Sequence, residues 1–382
     1  MKILIIDKDA SVRNGVVVYN QRLMSFLKKM GHEVYVLRFS KTGKKNEDNI
    51  SYVPYYLGDE KFYLVILPKF NSLKIIRKVL KNIKPDFVYT TIGLTTFDLA
   101  FPYLCHRQKT PLGGILHVDI SEDRHPNLFF LKLLWFFIYS PLIRRLDFLS
   151  VFSTRTQGFF VQRGVPVEKI EVIPNGIDSS PYTPGDSSFG KKHNIKKGVL
   201  FLGRLSWQKN PELLIKSFLS LNLDTDTKLV LVGTGELFTR LVKKYQDERI
   251  IFTGFVDSEQ ERIDIIRSCQ IFVLASRGEG HSLSLLEAMS SGLVPIVSDV
   301  GSSKDTVSDT GTVIKLSHLK SELPIALKKY LEDYELTRKL GIKARERVMK
   351  NYVEKENFQR LLNAFEQTAR LYKKKHNTHH SH

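Results

Sequence analysis

The chain predicts an α/β fold of two doubly wound, Rossmann-like domains, and three observations carry that prediction. Its 382 residues exceed one ordinary hydrophobic core and suit two. Short β-branched or aromatic runs alternate with stretches of helical period from end to end, the pattern of parallel sheets covered by helices. The alternation breaks once, at the turn-rich PNG of 174–176 and PYTPGDSSFG of 181–190, where few side chains call for burial. The boundary is therefore set at residue 180. This gives domains 1–180 and 181–353, a last helix over 354–373, and a polar, His-rich tail over 374–382 expected to be disordered.

In the first domain, strands are predicted at 2–7, 33–37, 86–90, 113–117 and 147–153. Between the first two, Val16, Tyr19, Leu23, Leu27 and Met30 recur at three- and four-residue spacing, and Gly31 supplies the left-handed stop of a helix. The loop before that helix, DASVRNG at 9–15, passes through Asn14, which tolerates left-handed geometry, to Gly15, whose amide can approach a phosphate or acceptor closely. In the second domain, strands are predicted at 199–203, 228–232, 250–252, 270–274 and 294–297, with helices after Pro211, Gly235, Ser258 and Ser284. Ligands of open parallel sheets bind beyond the carboxyl ends of the strands. With two such domains facing each other, the cleft between them is the expected site.

Apolar residues at 42% and charged residues at 26% describe a globular protein with ample material to bury, which removes disorder as the default. The net charge of +18 attracts polyanions: nucleic acid, an anionic membrane surface or phosphorylated substrates. Cys105 and Cys269 are too few for a disulfide framework or a Cys-based zinc site, so a reducing compartment is expected. The apolar run before Asp7 is shorter than a signal-peptide core, and the stretch 128–139, interrupted by Lys132, is shorter than the roughly 18–20 residues a bilayer requires. The expected location is cytoplasmic, or peripheral at the inner face of the membrane. Residues 61–84 carry seven cations and no acid, and that imbalance raises the membrane question. Lys74, Arg77, Lys78 and Lys81 share one helical face, whereas Leu73, Ile76, Leu80 and Ile83 share another. Such a helix either lies on an anionic bilayer, helped by the aromatic cluster 129–139, or packs its apolar side into a core.

The chemistry concentrates in the second domain. RGEGHSLSLLEAM at 277–289 sets Glu279 and Glu287 across a turn that runs into a helix, so both carboxylates can face one cleft. Upstream, the strand VLFLG delivers Arg204, and Lys209 immediately precedes a helix opening Asn210, Pro211, Glu212. A cation just before a helix N-terminus opposes the helix dipole unless an anion joins it. Bound phosphate resolves that conflict, since amides, dipole and two cations then converge. Two cations and two carboxylates suit a ligand with a diphosphate at one end and sugar hydroxyls at the other. The competing readings are surface ion pairs for the cations and a capping box, Ser284-x-x-Glu287, for the second carboxylate. Glu279, flanked by glycines at a strand exit, has no such alternative. His117 ends a strand and Asp119 follows it; a histidine there can bond a sugar, although a lone histidine is more often structural. Asp7-Lys8-Asp9 looks like a metal-binding Asp-x-Asp, yet it ends the first strand with too few oxygen ligands, and no metal site is expected.

Five segments in order resemble the GT-B-fold retaining glycosyltransferases of the glycosyl transferases group 1, family 4: VIPNGID at 172–178, LGRLSWQK at 202–209, LVGTGE at 231–236, FTGF at 252–255, and Glu279 with Glu287 after seven intervening residues. The resemblance implies a GT-B fold in which the C-terminal domain holds a UDP- or GDP-sugar, the N-terminal domain a glycan or lipid-linked acceptor, and the last helix crosses back onto the first domain. It implies that Glu279 and the main chain of His281, Ser282 and Leu283 contact the transferred sugar, that Glu287 takes the ribose hydroxyls, and that Gly15 and Phe255 join Arg204 and Lys209 in the donor site. His117 would touch donor sugar or acceptor, with Asp119 on the acceptor side. Arg204, Lys209, Glu279 and His117 form the implied catalytic set, with no cofactor beyond the donor and no obligatory metal. The implied activity is hexosyl transfer with retention, in cell-envelope polysaccharide, lipopolysaccharide or glycolipid synthesis. Relatives usually carry Gly-Gly after the first strand, and an aromatic or small residue then Gly after the first glutamate. Here those places read DASVRNG and His281-Ser282, which leaves the donor sugar open. A sugar-nucleotide epimerase of the same fold and a non-catalytic basic binding protein are the alternatives. No nucleic-acid recognition pattern is present, so no nucleic-acid partner is expected, and the first strand lacks the G-x-G-x-x-G of a dehydrogenase.

Overall fold

The computed structural model describes residues 1–7, 15–40, 49–56, 67–69, 71–92, 96–117 and 141–377. They form two compact units: Met1–Pro174 with the segment from Asn357 onward, and Asn175–Glu356.

The first unit is built on eight strands in the order β4-β3-β2-β1-β5-β6-β7-β8. In chain order these are Lys2–Asp7, Glu33–Ser40, Ile50–Tyr56, Leu67–Pro68, Phe87–Thr91, Leu112–Ile115, Phe148–Val151 and Ile170–Val172. All neighbours run parallel except β3 and β4. β1 is apolar without alternation because helices cover both of its faces. Ile3 and Ile5 pack with Leu23 and Leu27 of α1 (Gly15–Lys29). Leu4 and Ile6 pack on the other side with Ile76 and Leu80 of α2 (Ser72–Ile83) and with Phe97 and Phe101 of α3 (Thr96–Arg107). The C-terminal helix, Glu354–Asn377, joins α1 over the first of these faces, where Phe358, Leu361 and Phe365 are buried and Phe365 stacks on Phe87 at 4.5 Å between ring centroids. Gly113 makes room for that stack: a Cβ there would lie 2.6 Å from the Phe87 ring.

Two expectations change in this unit. The apolar stripe of α2 is taken up by the core through Ile76, Val79 and Leu80, so it is not available to lie in a bilayer. Residues 374–377, expected in a disordered tail, continue the last helix, and His376 stacks on Tyr372 at 4.1 Å. The aromatic cluster 129–139 lies outside the described residues. β3, β4 and β8 were not anticipated: Pro54 breaks the strand signal of β3, and β4 and β8 are too short to show a period.

The second unit carries six parallel strands in the order β11-β10-β9-β12-β13-β14: β9 Lys197–Leu202, β10 Thr227–Val232, β11 Ile250–Gly254, β12 Ile271–Leu274, β13 Val294–Ser298 and β14 Thr312–Ile314. The chain winds outward from β9 to β11, then returns to the middle and winds the other way from β12. β9 and β12 therefore flank the point where the topology reverses, and the loops leaving their carboxyl ends stand where open parallel sheets bind their ligands. Residues 175–180 belong to this unit rather than the first. Asn175 donates its side-chain amide to the His281 carbonyl at 3.2 Å, and Ile177 pairs with Val353 through Ile177 N to Tyr352 O and Glu354 N to Ile177 O. Gly176 permits that pairing, since a Cβ there would fall 2.4 Å from the Glu354 Cα.

Candidate functional site

The reversal point of the second sheet gathers three of the four charged side chains singled out from sequence. The loop leaving β9 carries Arg204 and Lys209, and the loop leaving β12 carries Glu279. Lys209 Nζ and the Glu279 carboxylate form an ion pair, largely enclosed, with side-chain exposures of 22% and 9%. The Ser276 hydroxyl donates to the same carboxylate at 2.8 Å. Arg204 is exposed and makes no side-chain ion pair or hydrogen bond among the described residues. The site therefore offers one cation partnered with the very carboxylate expected to serve a different part of the ligand, and a second cation open to an anion.

The two loops are fastened together. Arg277 N donates to Gln208 O at 2.8 Å, Gln208 Nε2 returns a bond to Gly278 O at 2.9 Å, and Arg277 Nη2 reaches Asn210 Oδ1 at 3.3 Å while its guanidinium lies over the Trp207 ring at 4.6 Å. Neighbouring loops close in from either side. After β10, Gly233 and Gly235 let the chain pass so near the β9 loop that a Cβ would lie 2.1 Å from Gly203 O or 2.5 Å from Leu205 O. After β13, Gly301, at φ +55°, comes equally close to Glu279 O, and Ser302 bonds Gly280 O through N at 3.2 Å and Oγ at 2.9 Å. Glu279 thus sits on a backbone held on two sides, by the β9 loop and by the loop after β13. Such a held loop keeps a side chain at fixed aim, which a binding site requires.

Beyond Glu279 the chain enters the Leu283–Ser290 helix, whose N-cap is Ser282, accepting from Leu285 N at 3.4 Å. The capping-box reading of Ser284 and Glu287 is therefore wrong. Ser284 is inside the first turn, and Glu287 is too far along the helix to cap it. Glu287 instead accepts from the Tyr182 hydroxyl at 3.1 Å and lies 3.6 Å from Arg262 Nε. Arg262 donates to the same hydroxyl at 2.7 Å, and that hydroxyl also reaches Glu259 at 3.2 Å. Burial, then the Glu287 charge, raises the Tyr182 pKa, so the phenol stays protonated as a donor. Tyr182 and Arg262 thus engage Glu287, whereas Lys209 engages Glu279.

His281 is buried, its ring 5.5 Å from that of Tyr352 and its Nε2 3.5 Å from Thr306 Oγ1. Burial pushes its pKa down to about 3, so it is neutral and structural, and only its main chain belongs to the loop. Phe255 follows β11, the edge strand, at the same end of the sheet and is 66% exposed. In the first unit, His117 follows β6, is held edge-on by Tyr19 at 5.0 Å and Phe152 at 5.3 Å, and has its pKa pushed down to about 3 by burial. Its Nε2 is buried without a hydrogen-bond partner among the described residues. Gly15 opens α1, while the preceding loop and Asp119 lie outside the described residues. Asp7 is buried at the end of β1 and bonded to Arg38 at 3.1 Å. Among the described residues no group of three or more His, Cys, Asp or Glu is placed to hold a metal ion.

Sequence reading missed Ser276, Gln208, Arg277, Tyr182 and Arg262. Only the glycines flanking Glu279, Gly278 and Gly280, hinted at the close-packed loops. Tyr182 lay inside the segment read as a linker.

A pair of parallel-sheet α/β units, one with charged loops at its reversal point, defines the GT-B class. Residues 13–180 match the family Glycosyltransferase Family 4 and residues 187–347 match Glycosyl transferases group 1, and the chain belongs to these GT-B glycosyltransferases. It is 33% identical over 169 residues to the UDP-Gal:alpha-D-GlcNAc-diphosphoundecaprenol alpha-1,3-galactosyltransferase of Escherichia coli, covering 40% of this chain and 43% of that protein. It is 27% identical over 267 residues to a Campylobacter jejuni GalNAc-alpha-(1->4)-GalNAc-alpha-(1->3)-diNAcBac-PP-undecaprenol alpha-1,4-N-acetyl-D-galactosaminyltransferase, covering 68% of each. The first two curated relatives are matched over 43% and 59% of their length, so the chain spans about half of them. The fold is similar to that of Anabaena HepE in complex with UDP, with a TM-score of 0.76, 17% identity, and coverage of 96% of this chain and 100% of that one.

Proposed function

We propose that this protein is a retaining glycosyltransferase that moves a hexosyl unit from a UDP- or GDP-sugar to a glycan or lipid-linked acceptor in cell-envelope polysaccharide, lipopolysaccharide or glycolipid synthesis. One observation carries the reading: the loop leaving β9 carries both Arg204, without an ion-pair partner among the described residues, and Lys209, paired with Glu279 of the loop leaving β12. A diphosphate supplies Arg204 with the charge it lacks and draws Lys209 toward a second phosphate, while Glu279 turns to a sugar hydroxyl. As the sugar–phosphate bond breaks, negative charge grows on the departing diphosphate, and the two cations stabilise it electrostatically. A double displacement needs a carboxylate nucleophile at the anomeric carbon. Glu279 is bound to Lys209 and Ser276, and Glu287 to Tyr182, which favours same-face attack, with the leaving diphosphate taking the acceptor's proton. The relatives' names support this reading: the E. coli protein is named for UDP-Gal and an undecaprenol-linked acceptor, and HepE was solved with UDP. No described helix is long and apolar enough to cross a membrane, and an anionic membrane surface at the inner face is the third partner of this proposal.

The test is a panel of nucleoside diphosphates and their sugars, screened by thermal shift and measured by calorimetry with the wild type and Arg204→Ala. We expect at least one diphosphate to bind, and Arg204→Ala to weaken it about tenfold or more, the loss of a charged hydrogen bond of about 1.5–3 kcal/mol. Unchanged affinity would remove the assignment. Turnover of the sugar nucleotide to an epimer or free sugar without acceptor would favour the epimerase alternative.

A further inference from the structure

We propose that the outward surface of α2 and α3 docks on an anionic lipid bilayer as a flat charged face, without inserting a helix. The inference deepens the membrane part of the proposed function and is independent of the sugar chemistry. With Ile76, Val79 and Leu80 in the core, the side of α2 that remains exposed presents Leu73, Lys74, Arg77, Lys78 and Lys81. None of those four cations forms an ion pair or side-chain hydrogen bond among the described residues. α3 lies in the same layer, since its Phe97, Phe101 and Leu104 enter the same core cluster as α2. Its exposed line is Leu99, Tyr103 and Arg107, four residues apart and therefore on one side of the helix, with Arg107 Nη1 donating to the Tyr103 hydroxyl at 3.1 Å. Its one acid, Asp98, is buried.

The described residues of the two helices thus expose five cations and no carboxylate, interleaved with two leucines and a tyrosine. Solvated faces normally mix both signs. Like charges gathered without partners repel one another, and a sheet of anions relieves that repulsion. The apolar members choose the occupant. A tyrosine and two leucines suit the headgroup boundary, where an amphipathic ring has one wet and one apolar side. A nucleic-acid backbone would use the cations and leave those side chains idle.

The test is flotation with two vesicle types, phosphatidylglycerol mixed with phosphatidylcholine and phosphatidylcholine alone, using the full chain. The wild type is expected to float with the mixed vesicles only, and less as salt rises. Each cation near an anionic surface changes partitioning roughly fivefold, so Arg77→Gln, Lys78→Gln and Lys81→Gln together should lower it on the order of a hundredfold. Leu99→Ser with Tyr103→Ser should lower it several-fold without altering its salt dependence. Melting temperature and nucleoside diphosphate affinity, measured on the same preparations, should be unchanged; these separate loss of docking from loss of fold and from failure of the donor site. Equal flotation with phosphatidylcholine alone, a triple variant that floats like the wild type, or binding to duplex DNA in preference to the mixed vesicles would each overturn the proposal.

Discussion

Replacing Glu279 by alanine separates the two roles assigned to the Lys209–Glu279 pair. The carboxylate is enclosed, paired with an ammonium and hydrogen-bonded to Ser276. Its removal leaves that ammonium and that hydroxyl without a partner. Losing one member of a buried pair costs about 3–5 kcal/mol, and the 22% exposure of Lys209 lets water recover part of this, leaving about 2–3 kcal/mol. For a unit of this size that lowers the melting temperature by roughly 4–12 °C. Ligand affinity should move the opposite way. A phosphate held on Lys209 would lie roughly 7 Å from the Glu279 charge, a repulsion of about 0.6 kcal/mol at bulk screening and about 2.4 at protein-surface screening. Glu279→Ala should therefore bind a bare nucleoside diphosphate roughly 3- to 60-fold more tightly, while sugar transfer falls. Calorimetry with the diphosphate, thermal unfolding and a transfer assay measure the three quantities. Weaker diphosphate binding in Glu279→Ala would refute the division of labour, because the pair would then be binding phosphate as a unit.

Two further predictions concern the folded state. Burial holds the folded pKa of His117 at about 3, below its ordinary 6.5, so its contribution is present above about pH 6.5 and is lost as the pH falls toward 3. His117→Phe, which fits the aromatic surroundings, should flatten the pH dependence of stability in that window by up to about 1.4 kcal/mol per pH unit, and an unfolding free energy that changes between pH 7 and pH 5 by the same amount in variant and wild type, read from urea titrations, would contradict it. Ser308 ends a helix at φ 52° and ψ −118°, a conformation natural only to glycine, so Ser308→Gly should stabilise the protein by about 1 kcal/mol, read as a melting temperature raised by roughly 2–4 °C.

Much of the architecture was legible because local pattern and tertiary environment agree. β1 is unbroken Ile-Leu-Ile-Ile because both its faces are covered, and α1 shows its period because one side meets the sheet. Patterns failed where the deciding contact is distant. Nothing near Glu287 indicates that Tyr182 and Arg262 will claim it, and nothing near Lys209 names Glu279 as its partner. Ser284-x-x-Glu287 fits the capping rule better than Ser282 does, yet the helix starts two residues earlier, with Leu285 and Leu286 both buried. The positions of Arg204, Lys209 and Glu279 were readable for a different reason. Each follows a strand, and strand ends in a parallel sheet converge.

The discontinuous build of the first unit has a consequence for synthesis. Its sheet is complete by Val172, yet Phe358, Leu361 and Phe365, which cover the side carrying Phe87 and Tyr89, leave the ribosome only after the whole second unit has been made. The intervening unit, one uninterrupted stretch from Asn175 to Glu356, is ready first. A nascent chain must therefore keep a greasy surface out of trouble while an entire neighbour is translated, and chaperone dependence should centre on that interval.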